Sequence, residues 1–437
     1  MADKQSVVIN QIASGWSEQV SFYRFLHNKQ VTEEALANKM RWKCEKGVRP
    51  DSHVLVISGT TLIDYSAQRG CVKENSGLGF IGDHDGWGYN LHGSMAVCAD
   101  DTSILGISDA FLWHRTEAKN DTRENYYGKP FEGKESHRWA SSCNRSKAVV
   151  KGAGMVTFVQ DREGDMYDTF VLVPEERHHL LVRSKYDRNI TTALGGRAKL
   201  RSHLSAQGPC ITYELEVRGD SHKRTAHTAL LEVRYATVLL ERGDNAAYQR
   251  SYPRQVRVQA VHVSQCPQSV PSGEDPIEWT THTIEDFADA VQIVYWYTLR
   301  WLIEDFFRLL KKKGFQLESS ELETGYALRR LGMITMDSAV QAMQLRQARD
   351  GQSHVQVEAV FTEGEQSCLE KLCPRMEGNT GKMKNPHPDR TLPWASWIIA
   401  RLGGWKGYQS QRPPGVITFK RGLDRFKAIY FGQSLGP

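Results

Sequence analysis

The stretch YTLRWLIEDFFRLLKKKG carries Tyr297, Arg300, Glu304 and Lys311. On one α-helix, where each residue turns about 100°, these four fall within a stripe about 60° wide. Ile303, Phe306, Leu309 and Leu310 lie elsewhere on the helix and are available to anchor it in a core. One face then presents a phenol, a guanidinium, a carboxylate and an ammonium. That set suits a phosphate backbone with a metal ion beside it, the cations contacting phosphates while the carboxylate binds the ion. It equally suits a salt-bridged surface helix, with Arg300 pairing Glu304 at i,i+4. A second acidic site lies in VTFVQDREGD, where an apolar strand delivers Asp161 to its polar end, with Glu163 and Asp165 close behind. Carboxylates so placed can hold a hard cation such as Mg²⁺. The plainer alternative is a solvated acidic turn that caps a helix.

These residues need elements to hold them. HVLVISGTTLIDYS reads as a buried strand, a turn and a second strand, with Gly59 at a strand end of the kind where enzymes often place a carboxylate. Residues 1–45 read as helical, Thr32 standing as a cap before Glu33 and Glu34. VLVIS, GYNLHGSMAVCAD and SILGISDAFLWHR read as strands, and ESHRWASSCNRSKAVV as a helix. GLGFIG has dinucleotide-loop spacing, but DHDGWG follows in place of a helix, so it reads as a loop with no cofactor. From about 190 to 281, short β-rich runs separated by Gly, Asp, Ser and Pro read as an inserted antiparallel sheet. The helical period then dominates to about 348, and WASWIIARLGGW starts a C-terminal unit. The order predicts a mixed α/β core interrupted once.

The chain resembles bacterial cut-and-paste DDE transposases of the insertion-sequence class, whose signature is Y-(2)-R-(3)-E-(6)-K. Tyr297, Arg300, Glu304 and Lys311 meet that spacing in full. The family's D-R-E-[AG]-D turn matches Asp161 to Asp165, and VRSK resembles its DNA-contacting strand, with Arg183 and Lys185 on phosphates. WASWIIARLGGW resembles its dimerisation helices and SFYRFLHNKQVTEEAL its linker, so the similarity covers almost the whole chain. The resemblance implies a ribonuclease-H-like mixed sheet over residues 46–330 with a β insertion. Residues 1–45 would be a helical remnant of the N-terminal DNA-binding and linker region, and 331–437 a helical dimerisation region. It implies Mg²⁺, with Mn²⁺ as substitute, held by Asp161 and Glu304. Tyr297, Arg300, Lys311, Arg183 and Lys185 would position phosphates, and Trp279 would stack on a flipped base. The implied reaction is two-metal cleavage at transposon ends followed by strand transfer. The family's first catalytic aspartate ends a strand of the form apolar–apolar–x–D-T-T, and in ISGTT that position is Gly59. The expectation is a folded but catalytically crippled transposase, acting on double-stranded DNA as a homodimer. The leading alternative is a non-catalytic DNA-binding and dimerising regulator of transposition, and a nuclease of the same fold is a weaker one.

Composition sets the bounds. The chain has 437 residues, 40% hydrophobic and 24% charged, as ordinary globular proteins do. No apolar run is long enough for a membrane span and no secretory signal opens the chain, which predicts a cytoplasmic address. Eight scattered cysteines form no CxxC, so buried free thiols are expected. The net charge of +5 permits nucleic-acid binding, although clustering of charge matters more than its total.

Overall fold

The computed structural model describes residues 9, 13, 15–82, 86–117, 129–209, 211–217, 227–243, 251–265, 277–311, 314–351, 353, 355–407 and 411–434. The chain opens with helices α1 (Trp16–His27) and α2 (Glu33–Gly47), then strands β1 (His53–Asp64), β2 (Gly79–Ile81), β3 (Gly86–Cys98) and β4 (Ile104–Trp113). Helix α3 (His137–Val149) leads to β5 (Met155–Gln160), the short helix α4 (Tyr167–Leu172) and β6 (His178–Arg183). There follow β7 (Asn189–Thr192), β8 (Arg197–Lys199), the short helix α5 (Leu200–Ser205), β9 (Ile211–Val217), β10 (His227–Glu241), β11 (Gln255–Gln265) and β12 (Ile277–Thr280). Helices close the chain: α6 (Phe287–Thr298), α7 (Trp301–Lys311), α8 (Gly325–Ala348), α9 (Glu363–Met376), α10 (Leu392–Leu402) and α11 (Val416–Ser434). The protein is mixed α/β. It divides into two units, one of Met1–Asn120, Arg145–Gly154 and Leu302–Pro437, the other of Asp121–Asn144 and Met155–Trp301.

In the first unit β1, β3 and β4 form an antiparallel meander, with β2 on the same edge of β3 as β4. Its strands are buried along most of their length, which explains the near-continuous apolar runs in VLVI and SMAVC. Thr32 caps α2 by accepting the Ala35 N–H at 3.1 Å, as its position before two glutamates predicts. The Asp109 carboxylate on β4 is fully buried and bonded on one side by Arg41 of α2 at 2.8 Å and on the other by Arg145 at 2.7 Å. Two guanidiniums offset the desolvation of that carboxylate and lock α2 and the end of α3 to the sheet. Helix α10 is buried on every side, from Leu392 through Ala400 and at Leu402. The apolar surface of LPWASWIIARL is thus consumed within its own unit.

In the second unit β5 and β6 run parallel, Gln160 opposite Val182. From β6 outward the pairing is antiparallel: β12, β11 and β10, the last flanked by β9 and by the β7–β8 hairpin. Among the described residues between 190 and 281, antiparallel strands predominate, with the short helix α5 between β8 and β9.

Four local expectations are corrected. β1 is one strand without a turn at Gly59, because Thr60 to Ile63 stay β-favourable and pair in unbroken register with His92 to Tyr89. Asp64, expected on a following strand, is the last residue of the same one. GLGFIG is partly strand, since Gly79–Ile81 pairs with Gly86–Gly88. The helix expected to carry all four signature residues is two helices. Helix α6 ends at Thr298, where the Leu299 and Arg300 N–H groups turn back to the Tyr297 carbonyl, and α7 restarts at Trp301. Such a tight 3₁₀-type closure satisfies the terminal carbonyls of α6. Tyr297 and Arg300 therefore do not share a continuous helical stripe with Glu304 and Lys311. Of the described cysteines, Cys71 departs from the expected burial.

Candidate functional site

Gly59 lies mid-strand on β1, directly opposite Gly93 of β3. A Cβ on Gly59 would stand 3.0 Å from Phe307 Cε2 and 3.2 Å from Ile303 Cγ2. One on Gly93 would stand 3.8 Å from Phe307 Cε1 and 3.6 Å from Met336 Cε. Two facing glycines thus make a notch in the sheet, and the Phe307 ring occupies it. Covering paired glycines with an aromatic ring replaces the packing they lack. The neighbouring cross-strand pairs alternate to the opposite face: Ser58 Oγ meets Ser94 Oγ at 2.8 Å, and Thr60 Oγ1 meets His92 Nδ1 at 2.9 Å.

The helix that delivers Phe307 is the one that carries Glu304. Ile303, Phe306, Phe307, Leu309 and Leu310 of α7 are buried, and Ile303 and Phe307 bracket Glu304 one turn apart. Glu304 is half-buried. Lys311, at the end of α7, is held 3.1 Å from the Glu318 carboxylate, which also accepts the Asp64 N–H at 3.1 Å. Sequence reasoning missed Glu318, because only the fold brings it beside the end of β1.

The second unit holds the other expected residues. Asp161 directly follows β5 and caps the next 3₁₀ turn, its Oδ1 accepting the Glu163 N–H at 2.7 Å. Arg138 pairs with the Glu163 carboxylate. Asp165 is fully buried: its carboxylate accepts the Lys185 N–H at 2.7 Å and the Arg188 guanidinium at 2.8 Å. The third acid of the D-R-E-G-D turn therefore fastens the R-S-K segment in place. Arg183 ends β6, half-buried, and the exposed Lys185 sets its ammonium 5.3 Å from the Tyr186 ring. Trp279 pairs with Val182 and Ala260 through the backbone of β12, and its side chain lies outside the described residues.

The end of α6 is fixed by aromatic contacts. Trp296 meets His282 at 5.2 Å, His282 stacks on His179 at 3.9 Å, and Thr157 Oγ1 bonds His282 Nε2 at 2.6 Å. Burial pushes the His179 imidazole below the usual histidine range, favouring the neutral ring that such stacking needs. Beyond it Trp301 is 68% exposed, with the Arg300 guanidinium 5.8 Å from its ring. That exposed aromatic was also missed. Its signal was present, for it follows Tyr297 at i+4, about 40° around a helix.

Glycine at position 59 offers no side-chain ligand. Position 59 is lined by hydrocarbon from Phe307 and Ile303, and Asp165 is committed to Arg188. Among the described residues no group of three or more His, Cys, Asp or Glu side chains is arranged to hold a metal ion.

No family model matches the chain. Among solved structures it is similar to the piggyBac transposase in its cryo-EM synaptic complex with hairpin DNA. The identity is 8% and the TM-score 0.38, over 89% of this chain and 55% of that one. The chain thus spans about half the length of that protein. No described helix is long and apolar enough to cross a membrane.

Proposed function

We propose that the chain is a DNA-binding protein of the cut-and-paste transposase type with a ribonuclease-H-like core. On this reading the place of its first catalytic carboxylate is taken by hydrocarbon. It pairs on transposon-end DNA with a second copy and cleaves poorly or not at all, acting as a regulator of an intact relative. The observation that carries the reading is the Gly59–Gly93 notch filled by Phe307, one turn from Glu304 within the signature spacing. Asp161 and Glu304 are the surviving carboxylates of the motif. Exposed Lys185 and half-buried Arg183 offer charge to a phosphate backbone, and Arg300 with Trp301 offers a cation beside an aromatic face.

The test is nicking of supercoiled plasmid with Mg²⁺ or Mn²⁺. It compares the unaltered protein, Gly59→Asp, Gly59→Asp with Phe307→Ala, and Glu304→Ala in each background. The expected result is no nicking by the unaltered protein or by Gly59→Asp alone, with Glu304-dependent nicking in the double variant. Glu304-dependent nicking by the unaltered protein would overturn the reading of inactivity and make the chain a working transposase.

A further inference from the structure

The C-terminal helices of the first unit border a cleft of about 570 Å³ that contains none of the signature residues, although one side of α10 (Ser396, Trp397 and Ala400) contributes to it. Its size falls within the roughly 300–1,000 Å³ of small-molecule sites. Arg349, Lys382, Lys384, His387, Trp397 and Trp405 line it. Lysine, arginine and the indole ring offer donors only. Lys384 is 3.0 Å from the Glu377 carboxylate, and Arg349 donates to the Pro414 carbonyl at 2.9 Å. Among the described residues Lys382 has no ion-pair or hydrogen-bond partner. The Trp405 Nε1–H is buried with no acceptor among them.

Two acceptors of the lining each have a donor. The Asp350 carboxylate faces Arg349 Nε at 3.4 Å, and the Gln411 carbonyl oxygen accepts the Lys406 N–H at 2.9 Å. Arg349, Lys382 and Lys384 stand against the single carboxylate of Asp350, a positive balance that complements an acceptor-rich anion. Burial pushes the His387 imidazole below its usual range, so near neutral pH its ring is uncharged and offers one donor and one acceptor. Trp405 supplies an aromatic wall beside these groups.

We propose that this cleft binds a nucleotide, with its phosphate on Lys382, Lys384 and Arg349 and its base beside Trp405 and His387. The site does not depend on the transposase reading. The experiment is calorimetric titration of dAMP, adenosine and inorganic phosphate into the full chain, with Lys382→Ala and Trp405→Phe as variants. The expected result is saturable binding of dAMP, weaker binding of adenosine and of phosphate, and a loss of about tenfold on Lys382→Ala, as for one charge-assisted hydrogen bond. No saturable dAMP binding, or binding that Lys382→Ala leaves unchanged, would overturn it. Lys382 is exposed, so its replacement leaves the fold intact even if Trp405→Phe does not. Titration with (dT)₄ against dTMP separates the sources: tighter binding of the oligomer assigns the cleft to a strand, and equal or weaker binding to a free nucleotide. Duplex binding measured on the same Lys382→Ala protein keeps this site distinct from the contacts at Arg183 and Lys185.

Discussion

At Gly59, one residue type admits two readings, a vacated metal ligand or a packing device. Spacing alone supports the first, since ISGTT differs from the expected strand end at that single position. Packing adds the second, because the ring of Phe307 fills the space a side chain would need. Nothing in the local pattern of β1 reveals which helix covers it, so this part of the site was not legible in advance. The consequence for repair is specific. Gly59→Asp alone forces its Cβ against Phe307 and Ile303, an overpacking that costs about 1–3 kcal/mol. It also sets a carboxyl against hydrocarbon, raising its folded pKa above the unfolded value of about 3.9. Between those two values the unfolded chain has lost the proton that the folded chain keeps. Stability relative to the parent therefore falls further as pH rises through that window. Chemical denaturation at pH 4 and pH 7 checks this, the deficit being larger at pH 7. Adding Phe307→Ala makes room, so the double variant should be more stable than the summed single effects by about 0.5–3 kcal/mol. Strict additivity would mean that the ring and position 59 do not interact.

At the scale of elements, β3, β4 and the first half of β1 were legible because long apolar runs bounded by turn residues mark buried strands, whereas the continuation of β1 past Gly59 and the short β2 were not. Nor was the α6–α7 break. The apolar period runs on across TLRW, and what stops α6 is a backbone closure at Leu299–Arg300 that leaves no mark in residue type. Docking of α11 was also hidden in sequence. Lys420 on that helix is almost fully buried, with Nζ donating to the Gly314 carbonyl at 2.6 Å and lying 4.6 Å from the Phe315 ring. Burial pushes its ammonium down to about 8, with Asp424 opposing the shift. An unfolded lysine titrates near 10.4. Between about 8 and 10.4 the unfolded chain holds a proton that the folded chain has released, so stability gains with pH across that window. Lys420→Met removes this component. The stability of the parent minus that of Lys420→Met should therefore rise between pH 7.5 and 10, by urea denaturation at each pH. A flat difference would place the amine in water.

For the whole molecule, net charge of +5 says little until the charge is placed. The D-R-E-G-D and R-S-K motifs lie apart in sequence, but the buried Asp165 carboxylate ties them together by holding the Lys185 N–H and the Arg188 guanidinium. The backbone of Lys185 is thus fixed by a contact that its side chain does not make, and its ammonium stays exposed. Lys185→Ala therefore removes a charge without loosening the segment, which makes it the cleanest probe of phosphate contact in the chain. If the protein binds duplex DNA through phosphates, log K falls linearly with log salt, with a slope of about −0.9 per contact. Lys185→Ala should make that slope shallower by about 0.9 and weaken binding to all sequences alike. Asp165→Asn offers the contrasting case, since weakening the anchor disturbs the whole segment and should lower thermal stability as well as affinity. Fluorescence anisotropy on a short labelled duplex across a salt series reads both. A response flat in salt for the unaltered protein would remove DNA from its partners, whatever the signature residues suggest. An unchanged slope in Lys185→Ala would instead move the phosphate contacts away from the R-S-K segment.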